Sequence, residues 1–494
     1  MTRLLSRSLL IVCASLLFTG IAGAGIVPGY DYVPGEVLVK FKDGVSASQK
    51  LEAFGDLDAS KVRTFHRIDT DHWKVTDGTV AEAIAKLEAD PRVELAQPNY
   101  VLYALEIPND TRFDDLWGMN NTGQTGGTPD ADIDAVEAWD VYTGSSDVLV
   151  AVIDSGVDYE HPDLVDNMWT NPGEIADNGI DDDGNGWIDD IHGYDYANSD
   201  ADPMDDNGHG THCSGTIGGV ANNAEGVAGV AWDVSIVALK FLSAAGSGST
   251  ADAVACIEYA TDLGVDIMSN SWGGGPYDTV LETAIADAYA ADIFFIAAAG
   301  NDGSDNDVDP HYPSNYETPN VIAVMATNHD DERVVEPGWW TSCIGATTVD
   351  IAAPGLHIWS TTPNNTYSDY SGTSMATPHV AGAMAMLRGR FPNISVDAGK
   401  NLLMTVGNDV LPALDGMSVT GARLNVLKLI ADPDTIPPSA VTDLAVADVA
   451  SNWIDVQWTA PGDDDIVGTT SSYDVRWALA PILDETAWDA ANPT

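Results

Sequence analysis

Apolar and polar positions divide the chain into three regions, of which the middle one has the clearest pattern. Its continuous apolar runs of strand length alternate with stretches of helical period, and such strands are typical of a parallel sheet buried on both faces. The runs cover 148–153, 235–242, 265–268, 293–298 and 321–326, and helices are predicted over 251–263, 279–290 and 375–388. The succession predicts an α/β fold with a doubly wound, mostly parallel sheet and helices on both faces, in which ligands bind at the carboxyl ends of the strands.

The first region predicts a small α+β module of β-α-β-α-β character. Residues 35–41 alternate like a strand, and 48–54 and 79–87 carry helix formers at helical spacing. Strand-like pieces surround Trp73 and cover 93–102. We place this module at residues 25–105 and the middle region at 106–432.

The last region, residues 433–494, predicts a linker followed by strands. A Pro-rich segment at 432–438 precedes period-2 stretches at 441–449, 453–458 and 473–479. These stretches resemble the opening strands of a fibronectin type III domain, which needs two complete sheets to bury its faces. We therefore expect the sequence to be a piece of a longer protein.

The first 24 residues have the layout of a secretory signal peptide. Arg3 and Arg7 precede the apolar run 9–18, and small residues at 22–24 form an A-x-A cleavage site. We expect the mature protein to be secreted and soluble, with no membrane insertion. It retains Cys213, Cys256 and Cys343, an odd number that allows at most one disulfide within the chain and leaves its pairing open.

The charge excludes some functions and locates others. The chain has 76 Asp+Glu against 20 Lys+Arg, a net charge of −56, which excludes nucleic-acid binding through clustered cations. With 45% hydrophobic residues it is too apolar for a disordered acidic tail. Residues 25–104 have a net charge of −4 and residues 105–494 a net charge of −54. The near-neutral module is therefore suited to bind an acidic partner.

Three local sequences in the middle region each present a reactive side chain. Asp154 ends the most apolar strand, His209 lies between two glycines at a predicted helix start, and Ser374 leads into the helix predicted at 375–388. Each is weak alone, since an Asp at a strand end or a Ser before a helix is more often a cap. Together, in the order Asp, His, Ser, they match a known form of the serine-protease triad.

With these blocks the chain resembles the subtilisin-like serine proteases (subtilases, peptidase family S8), preceded by the inhibitor-type, ferredoxin-like propeptide found with that family. The resemblance implies that Asp154 orients the imidazole, His209 is the general base and Ser374 the nucleophile. The block at 297–301 implies that the Asn301 side chain stabilises the oxyanion. It also implies a self-processing zymogen that is cleaved between about Tyr103 and Asn109, with the propeptide as intramolecular inhibitor.

The same resemblance outlines a cleft for protein and peptide substrates. The proposed substrate-binding residues fall in two segments, and they are Ser271, Trp272 and Gly273 in one and Ala298 and Gly300 in the other. Glycines allow an extended peptide to approach the backbone closely. Small walls predict an open, apolar first specificity pocket and broad cleavage after large apolar residues.

A long acidic insertion between Asp154 and His209 predicts a structural Ca²⁺ site. Residues 177–190 carry oxygen ligands at alternating positions with glycines for sharp turns, although no Glu occupies the twelfth position of an EF-hand loop. The predicted ligands are Asp181, Asp183, Asn185 and Asp190. The alternative is a solvated acidic loop without a metal. No organic cofactor is expected.

Two other functions stay open on the sequence. A peptide ligase or cyclase of the same fold would share the acyl-enzyme, and a catalytically dead binding protein would use the last region for recognition. A metal pair formed by His209 and His212 lacks a third ligand, and Cys213 is expected to be a small buried thiol that makes the enzyme sensitive to mercurials. We expect a monomer.

Overall fold

The computed structural model describes residues 32–431, except 43, 56, 77–78 and 101–106, together with the backbone of four short strands after residue 444. The expected signal peptide, part of the expected maturation region between about Tyr103 and Asn109, and most of 433–494 lie outside the described residues. The chain divides into two compact units between Tyr103 and Ala104.

The first unit is an antiparallel sheet with two helices. Its elements are β1 (Tyr32–Phe41), α1 (Ala47–Glu52), β2 (Ala59–Phe65), β3 (Thr70–Val75), α2 (Val80–Ala89) and β4 (Val93–Tyr100). The strand order β2-β3-β1-β4 is ferredoxin-like. The sequence pattern missed β2, because that strand is largely exposed and lacks an apolar alternation. Each helix begins with a capping box, at Ser46 and at Thr79.

The second unit is built on a nine-stranded sheet with the order β16-β17-β13-β10-β9-β8-β5-β7-β6. Its strands are β5 (Gly144–Asp154), β6 (Gly193–Asp195), β7 (Asp233–Lys240), β8 (Ile267–Asn270), β9 (Phe294–Ala298), β10 (Val321–Thr327), β13 (Ile351–Pro354), β16 (Asn408–Val410) and β17 (Ala422–Leu424). Every pairing is parallel except that of β16 with β17. The predicted parallel sheet is confirmed.

Helices and short hairpins complete this unit. The helices are α3 (Ala135–Trp139), α4 (His209–Gly218), α5 (Thr250–Leu263), α6 (Thr279–Ala290), α7 (Thr373–Arg390), α8 (Val396–Thr405) and α9 (Val426–Ile430). The hairpins are β11 (Val335–Glu336) with β12 (Trp340–Thr341), β14 (Ile358–Thr362) with β15 (Thr366–Tyr370), β18 (Ala445–Val449) with β19 (Ile454–Gln457), and β20 (Arg476–Trp477) with β21 (Asn492–Pro493). Among the described residues, no helix is long and apolar enough to cross a membrane.

Alternate residues of the central strands face two separate cores. Val150 and Val152 of β5 belong to the core that contains α4 and α7, whereas Ala151 and Ile153 belong to the core that contains α5 and α6. Because both faces are covered, the strands read as continuous apolar runs. The carboxyl ends of β5, β8 and β9 consequently emerge side by side at one edge of the sheet.

Candidate active site

Asp154 is a buried carboxylate at the carboxyl end of β5. Its side chain is 1% exposed, and its Oδ1 accepts a hydrogen bond of 2.7 Å from the main-chain N–H of Ser155. Its carbonyl oxygen accepts from the N–H groups of Phe241 and Leu242 at 2.9 and 3.1 Å, directly after β7. The strand end is thus held by its neighbour in the sheet, and the carboxylate has one fixed position.

His209, the first residue of α4, points its ring at this carboxylate. Its Nδ1 lies 2.8 Å from Asp154 Oδ1 and 2.9 Å from Oδ2. A carboxylate can only accept at this contact, so Nδ1 carries the proton and Nε2 is left as the basic nitrogen. Burial lowers the pKa of His209, but the charge and the hydrogen bond of Asp154 outweigh it and raise the pKa above the ordinary 6.5.

Asp205 joins the strand end to the helix start. Its Oδ1 accepts from the hydroxyl of Ser155 and the N–H of Gly208, both at 2.9 Å, and its Oδ2 accepts from the N–H of Thr211 at 2.9 Å. Two of these donors lie at the N-terminus of α4, where helical N–H groups lack internal acceptors. The role of this positioning residue was not predicted, although an Asp just before a predicted helix start is a capping signal.

Lys240 is the second positioning residue that the sequence did not reveal. This lysine is 1% exposed at the end of β7, and its Nζ donates to the carbonyl oxygen of Ser155 and to Asp206 Oδ1, both at 2.6 Å. A buried ammonium requires such partners, because an unpaired buried charge is costly. Lys240 thus links Ser155, the residue after Asp154, to Asp206, which lies three residues before His209.

Ser374 is the second residue of α7 and lies beside the end of β8. Its hydroxyl donates to the carbonyl oxygen of Ser271 at 3.0 Å, and its own carbonyl oxygen accepts from the hydroxyl of Ser271 at 2.8 Å. Among the described residues its hydroxyl makes no hydrogen bond to His209. Contacts of this kind often form only in the substrate complex, so the observed geometry leaves the nucleophile role open as a proposal.

Asn301 follows β9 and presents its amide next to Ser374. Its Oδ1 accepts from the N–H of the buried Thr373 at 2.8 Å, which fixes Nδ2 as the end that faces outward. A methyl group on Gly372 would lie 3.5 Å from both Nδ2 and Oδ1 of this amide and 3.6 Å from the main-chain nitrogen of Ser374. Two N–H donors, one on a side chain and one at a helix N-terminus, therefore border the same small space.

The predicted substrate-binding residues form two neighbouring segments. Ser271, Trp272 and Gly273 follow β8, whereas Ala298 ends β9 and Gly300 follows it. The indole of Trp272 packs edge-on against Phe241 at a ring distance of 4.9 Å. A cavity of about 520 Å³ extends from this segment. It is lined by Asn207, His209, Phe241, Leu242, residues 246–250, Ala253, residues 271–275 and Leu281.

The sequence predicts an open and apolar space between the two segments, and the structure differs from that prediction. A methyl group on Gly273 or on Gly300 would touch the imidazole of His311, at 2.1 and 3.0 Å respectively. The sequence pattern did not indicate this contact, because His311 lies 38 residues from Gly273 and 11 residues from Gly300 along the chain.

The acidic insertion brings only some of its predicted metal ligands together. Oxygen atoms of Glu174, Asp183 and Asp190 lie within 4.8 Å of one another. Asp181 instead accepts three main-chain hydrogen bonds from residues 184–186. The amide oxygen of Asn185 is used by the N–H of Trp187, so its Nδ2 faces the carboxylates as a donor. Glu174 replaces these two residues in the cluster.

Asp190 is the buried member of this cluster. Its Oδ2 accepts from the Tyr259 hydroxyl at 2.5 Å and from Asn185 Nδ2 at 3.0 Å, and burial raises its pKa. The neighbouring carboxylate of Asp183 also raises it, because like charges disfavour the ionised form. Three converging carboxylates are a donor set that fits Ca²⁺, a hard cation that prefers oxygen ligands.

A second pair of buried carboxylates was not predicted. Asp110 and Asp163 are 5% and 0% exposed, and burial raises the pKa of each. Oδ1 of Asp110 has no hydrogen-bond partner, and Asp163 is near enough to raise the pKa of Asp110 further. A buried, unpaired carboxylate oxygen beside a second acid is also a position that fits a cation.

The remaining histidines and thiols of the site are buried within the fold. His212 Nε2 contacts the carbonyl oxygen of Ile358 at 2.9 Å, and burial lowers the pKa of His212 to about 3. Burial also lowers the pKa of His379 to about 4. Cys213 is fully buried, and its Sγ lies within 4.8 Å of the Asp154–His209 pair. All three thiols among the described residues are free.

A doubly wound sheet that brings an Asp–His pair, a serine at a helix start and an amide donor to one edge is typical of serine hydrolases that act through an acyl-enzyme. The subtilase family model matches residues 145–418, and a model described as the fervidolysin N-terminal prodomain matches residues 22–99.

Individual relatives agree with these two matches. A thermophilic serine proteinase of Bacillus sp. (strain AK1) is 38% identical over 357 residues, which are 72% of this chain and 78% of the relative. Thermitase of Thermoactinomyces vulgaris is 38% identical over 255 residues, 52% of this chain and 79% of its own. A solved protease structure from Pseudoalteromonas arctica PAMC 21717 is 27% identical with a TM-score of 0.52, and the match covers 66% of this chain and 99% of that one. The chain belongs to the subtilase family and is a serine-type endopeptidase with a prodomain.

Proposed function

We propose that this subtilase is a secreted endopeptidase in which Asp154, His209 and Ser374 form the catalytic triad. The observation that carries the proposal is the short contact between His209 Nδ1 and the buried Asp154, with Ser374 beside the end of β8 and Asn301 after β9. Secretion rests on the signal-peptide pattern of residues 1–24.

The proposed reaction begins with a proton transfer. Serine is a poor nucleophile at its own pKa, so Nε2 of His209 removes the hydroxyl proton of Ser374 as the oxygen attacks the substrate carbonyl. Asp154 holds the ring in the required tautomer and stabilises the imidazolium. The same proton then passes to the leaving amine, and water hydrolyses the acyl-enzyme by the reverse sequence.

Negative charge develops on the substrate oxygen during the attack. The space beside Gly372 is bordered by Asn301 Nδ2 and the Ser374 nitrogen, and both can donate to that oxygen. The side chain donor is worth about 3 kcal/mol of barrier in a site of this kind. Its amide needs no reorganisation, because Thr373 already fixes its orientation.

Covalent labelling tests the nucleophile directly. A fluorophosphonate probe should label the wild-type protein and leave Ser374→Ala unlabelled, whereas Ser271→Ala, which removes the neighbouring hydroxyl, should still be labelled. Equal labelling of wild type and Ser374→Ala would contradict the assignment. Product analysis with a competing amine separates hydrolysis from peptide ligation.

We further propose that the first unit inhibits the enzyme until it is cleaved off, and that Ca²⁺ stabilises the second unit. The prodomain match supports the first point. The second is supported by the converging carboxylates of Glu174, Asp183 and Asp190 and by the unpaired oxygen of Asp110. A bound Ca²⁺ would supply positive charge to balance these carboxylates.

A further inference from the structure

The imidazole of His311 lies between the two segments that border the first specificity pocket. A methyl group on Gly273 would lie 2.1 Å from Cε1 and 2.8 Å from Nε2 of this ring. A methyl group on Gly300 would lie 3.0 Å from Cδ2 and 3.2 Å from Nε2. Since Cε1 and Cδ2 flank Nε2 in the ring, the Nε2 corner points between the two glycines.

Ser314 fixes which nitrogen of the ring carries the proton. The Ser314 hydroxyl donates to the carbonyl oxygen of His311 at 2.8 Å, and the oxygen of that hydroxyl, Ser314 Oγ, lies 3.3 Å from His311 Nδ1. A hydroxyl has one hydrogen, so Nδ1 must be the donor in the second contact. Burial lowers the pKa of His311, against the charge of Asp302, so the ring is neutral at neutral pH. Nε2 is then a hydrogen-bond acceptor.

The other polar groups at this position are already paired with each other. Cys343 Sγ would lie 3.0 Å from a methyl group on Gly300, and its thiol donates to Asp302 Oδ1 at 3.0 Å. His311 Nε2, by contrast, makes no hydrogen bond within the part of the chain that the structure describes. An acceptor without a protein partner that a bound substrate would cover favours a ligand that brings a donor.

We propose that His311 sets the specificity of the first specificity pocket, which receives the side chain on the amino side of the scissile bond. Its ring closes the pocket between Gly273 and Gly300, and its Nε2 accepts a hydrogen bond from a substrate side chain that ends in an N–H or O–H donor, such as Gln or Asn. The inference rests on the proposed function, because it assumes that Ser374 and Asn301 mark the position of the scissile bond.

Two consequences separate this pocket from an open apolar one. Large aromatic side chains are excluded, because the ring occupies the depth that they need. At matched length a donor-bearing side chain is preferred over an apolar one, because the apolar side chain leaves Nε2 unpaired. A site built to hydrogen-bond its substrate discriminates more strongly than one that only measures size.

The test is a set of peptides that differ only at this position, with Gln, Met, Asn, Leu, Phe or Lys. For the mature wild type, kcat/KM should be at least about tenfold higher for Gln than for Met, and Phe should be among the poorest substrates. In His311→Ala the Gln-to-Met ratio should approach one and Phe should improve by about tenfold or more. Ratios between substrates cancel any loss of folded enzyme.

Two further variants separate the two roles of the ring. Ser314→Ala frees the tautomer but keeps the ring, so the Gln-to-Met ratio should fall while Phe stays excluded. His357→Asn replaces a surface histidine at φ 53°, a backbone conformation that Asn tolerates, and should leave both ratios unchanged.

A wild-type preference for Phe or Leu, or ratios that His311→Ala does not change, would overturn the inference. A preference for Lys would also overturn it, since the acid Asp302 and not the imidazole would then select the substrate. If Ser374→Ala hydrolyses the peptides as fast as the wild type does, the proposed function itself is wrong. Hydrolysis that depends on Ser374 with unaltered ratios refutes only the role of His311.

Discussion

Replacing Asn301 tests the proposed oxyanion site, because the two ends of its amide have different jobs. Nδ2 borders the space beside Gly372, whereas Oδ1 accepts the N–H of Thr373 at 2.8 Å. Asn301→Ala removes both functions. Asn301→Asp keeps an oxygen for Thr373 but places a carboxylate where the amide donor was.

The structure gives a magnitude for each change. Loss of the donor in Asn301→Ala costs about 3 kcal/mol of transition-state stabilisation, a fall in kcat of about 10²- to 10³-fold with little change in KM. The same variant leaves the buried N–H of Thr373 unpaired, which lowers the free energy of unfolding by about 1–3 kcal/mol. In Asn301→Asp, the new carboxylate and the substrate oxyanion, about 4 Å apart, repel by roughly 4 kcal/mol at an effective dielectric constant of 20.

The two variants should therefore rank in opposite orders. Asn301→Ala should be the less stable protein in thermal melts, and Asn301→Asp the slower enzyme with a chromogenic peptide anilide. Because slow variants also process themselves slowly, maturation should be completed with a trace of wild type, and Ser374→Ala treated in the same way supplies the background rate. A fall in kcat of less than tenfold in Asn301→Ala, or a faster Asn301→Asp, would refute the oxyanion role.

Three more predictions follow from the site. The rate kcat/KM should rise with pH through a midpoint above 6.5, because only neutral His209 accepts the proton and Asp154 raises its pKa; Asp154→Asn should lower this midpoint and reduce kcat by about 10⁴-fold, and a midpoint below 6 in the wild type would contradict the assignment. Mercurials should inactivate the wild type but not Cys213→Ser, since the thiol lies within 4.8 Å of the Asp154–His209 pair; equal inactivation of both would place the reactive thiol elsewhere. Ca²⁺ at 100 times its Kd should stabilise the protein by about 2.7 kcal/mol per site and raise Tm by about 4 °C; Asp190→Asn should lose the share of this shift that comes from the cluster, whereas Asp177→Asn, in the same loop but outside the cluster, should keep the whole shift, and superimposable melts of wild type in EGTA and in Ca²⁺ would exclude Ca²⁺ binding.

Local patterns predicted the elements that carry the chemistry. The helix over 279–290 has the bounds of α6, and the apolar run 148–153 lies within β5. Both are fully specified by nearby residues, since a buried strand needs apolar side chains at every position and a helix at every third or fourth. The order of Asp154, His209 and Ser374 along the chain then predicted that the site lies at the edge formed by the carboxyl ends of the strands.

Contacts between distant segments could not be predicted in this way. Glu174 joins Asp183 and Asp190 only because the insertion folds back on itself, and alternation of acids along the loop favoured Asp181 instead. His311 reaches Gly273 and Gly300 from a third segment of the chain. A one-dimensional pattern records which side chains are available at a site, whereas the partners of a polar group depend on topology.

The cations of the second unit explain why its acid remains at the surface. Residues 105–494 contain nine Lys+Arg, and three of them, Lys240, Arg388 and Arg423, are buried and bind carboxylates or carbonyl groups of other segments. Cations used inside the fold cannot neutralise acids outside it, so most acids among the described residues of this unit are not buried.

The choice of acid follows from backbone geometry. Seven of the thirteen non-glycine residues with positive φ in the described part of the chain are aspartates. The short Asp side chain is tolerated better than Glu at positive φ. Others cap helices, as Asp278 does for α6. The 60 aspartates among 76 acids therefore reflect loops and caps. Salt screens their mutual repulsion, so the negative charge determines how the stability of this protease depends on salt concentration. The choice of substrate depends instead on the imidazole of His311 in the proposed pocket.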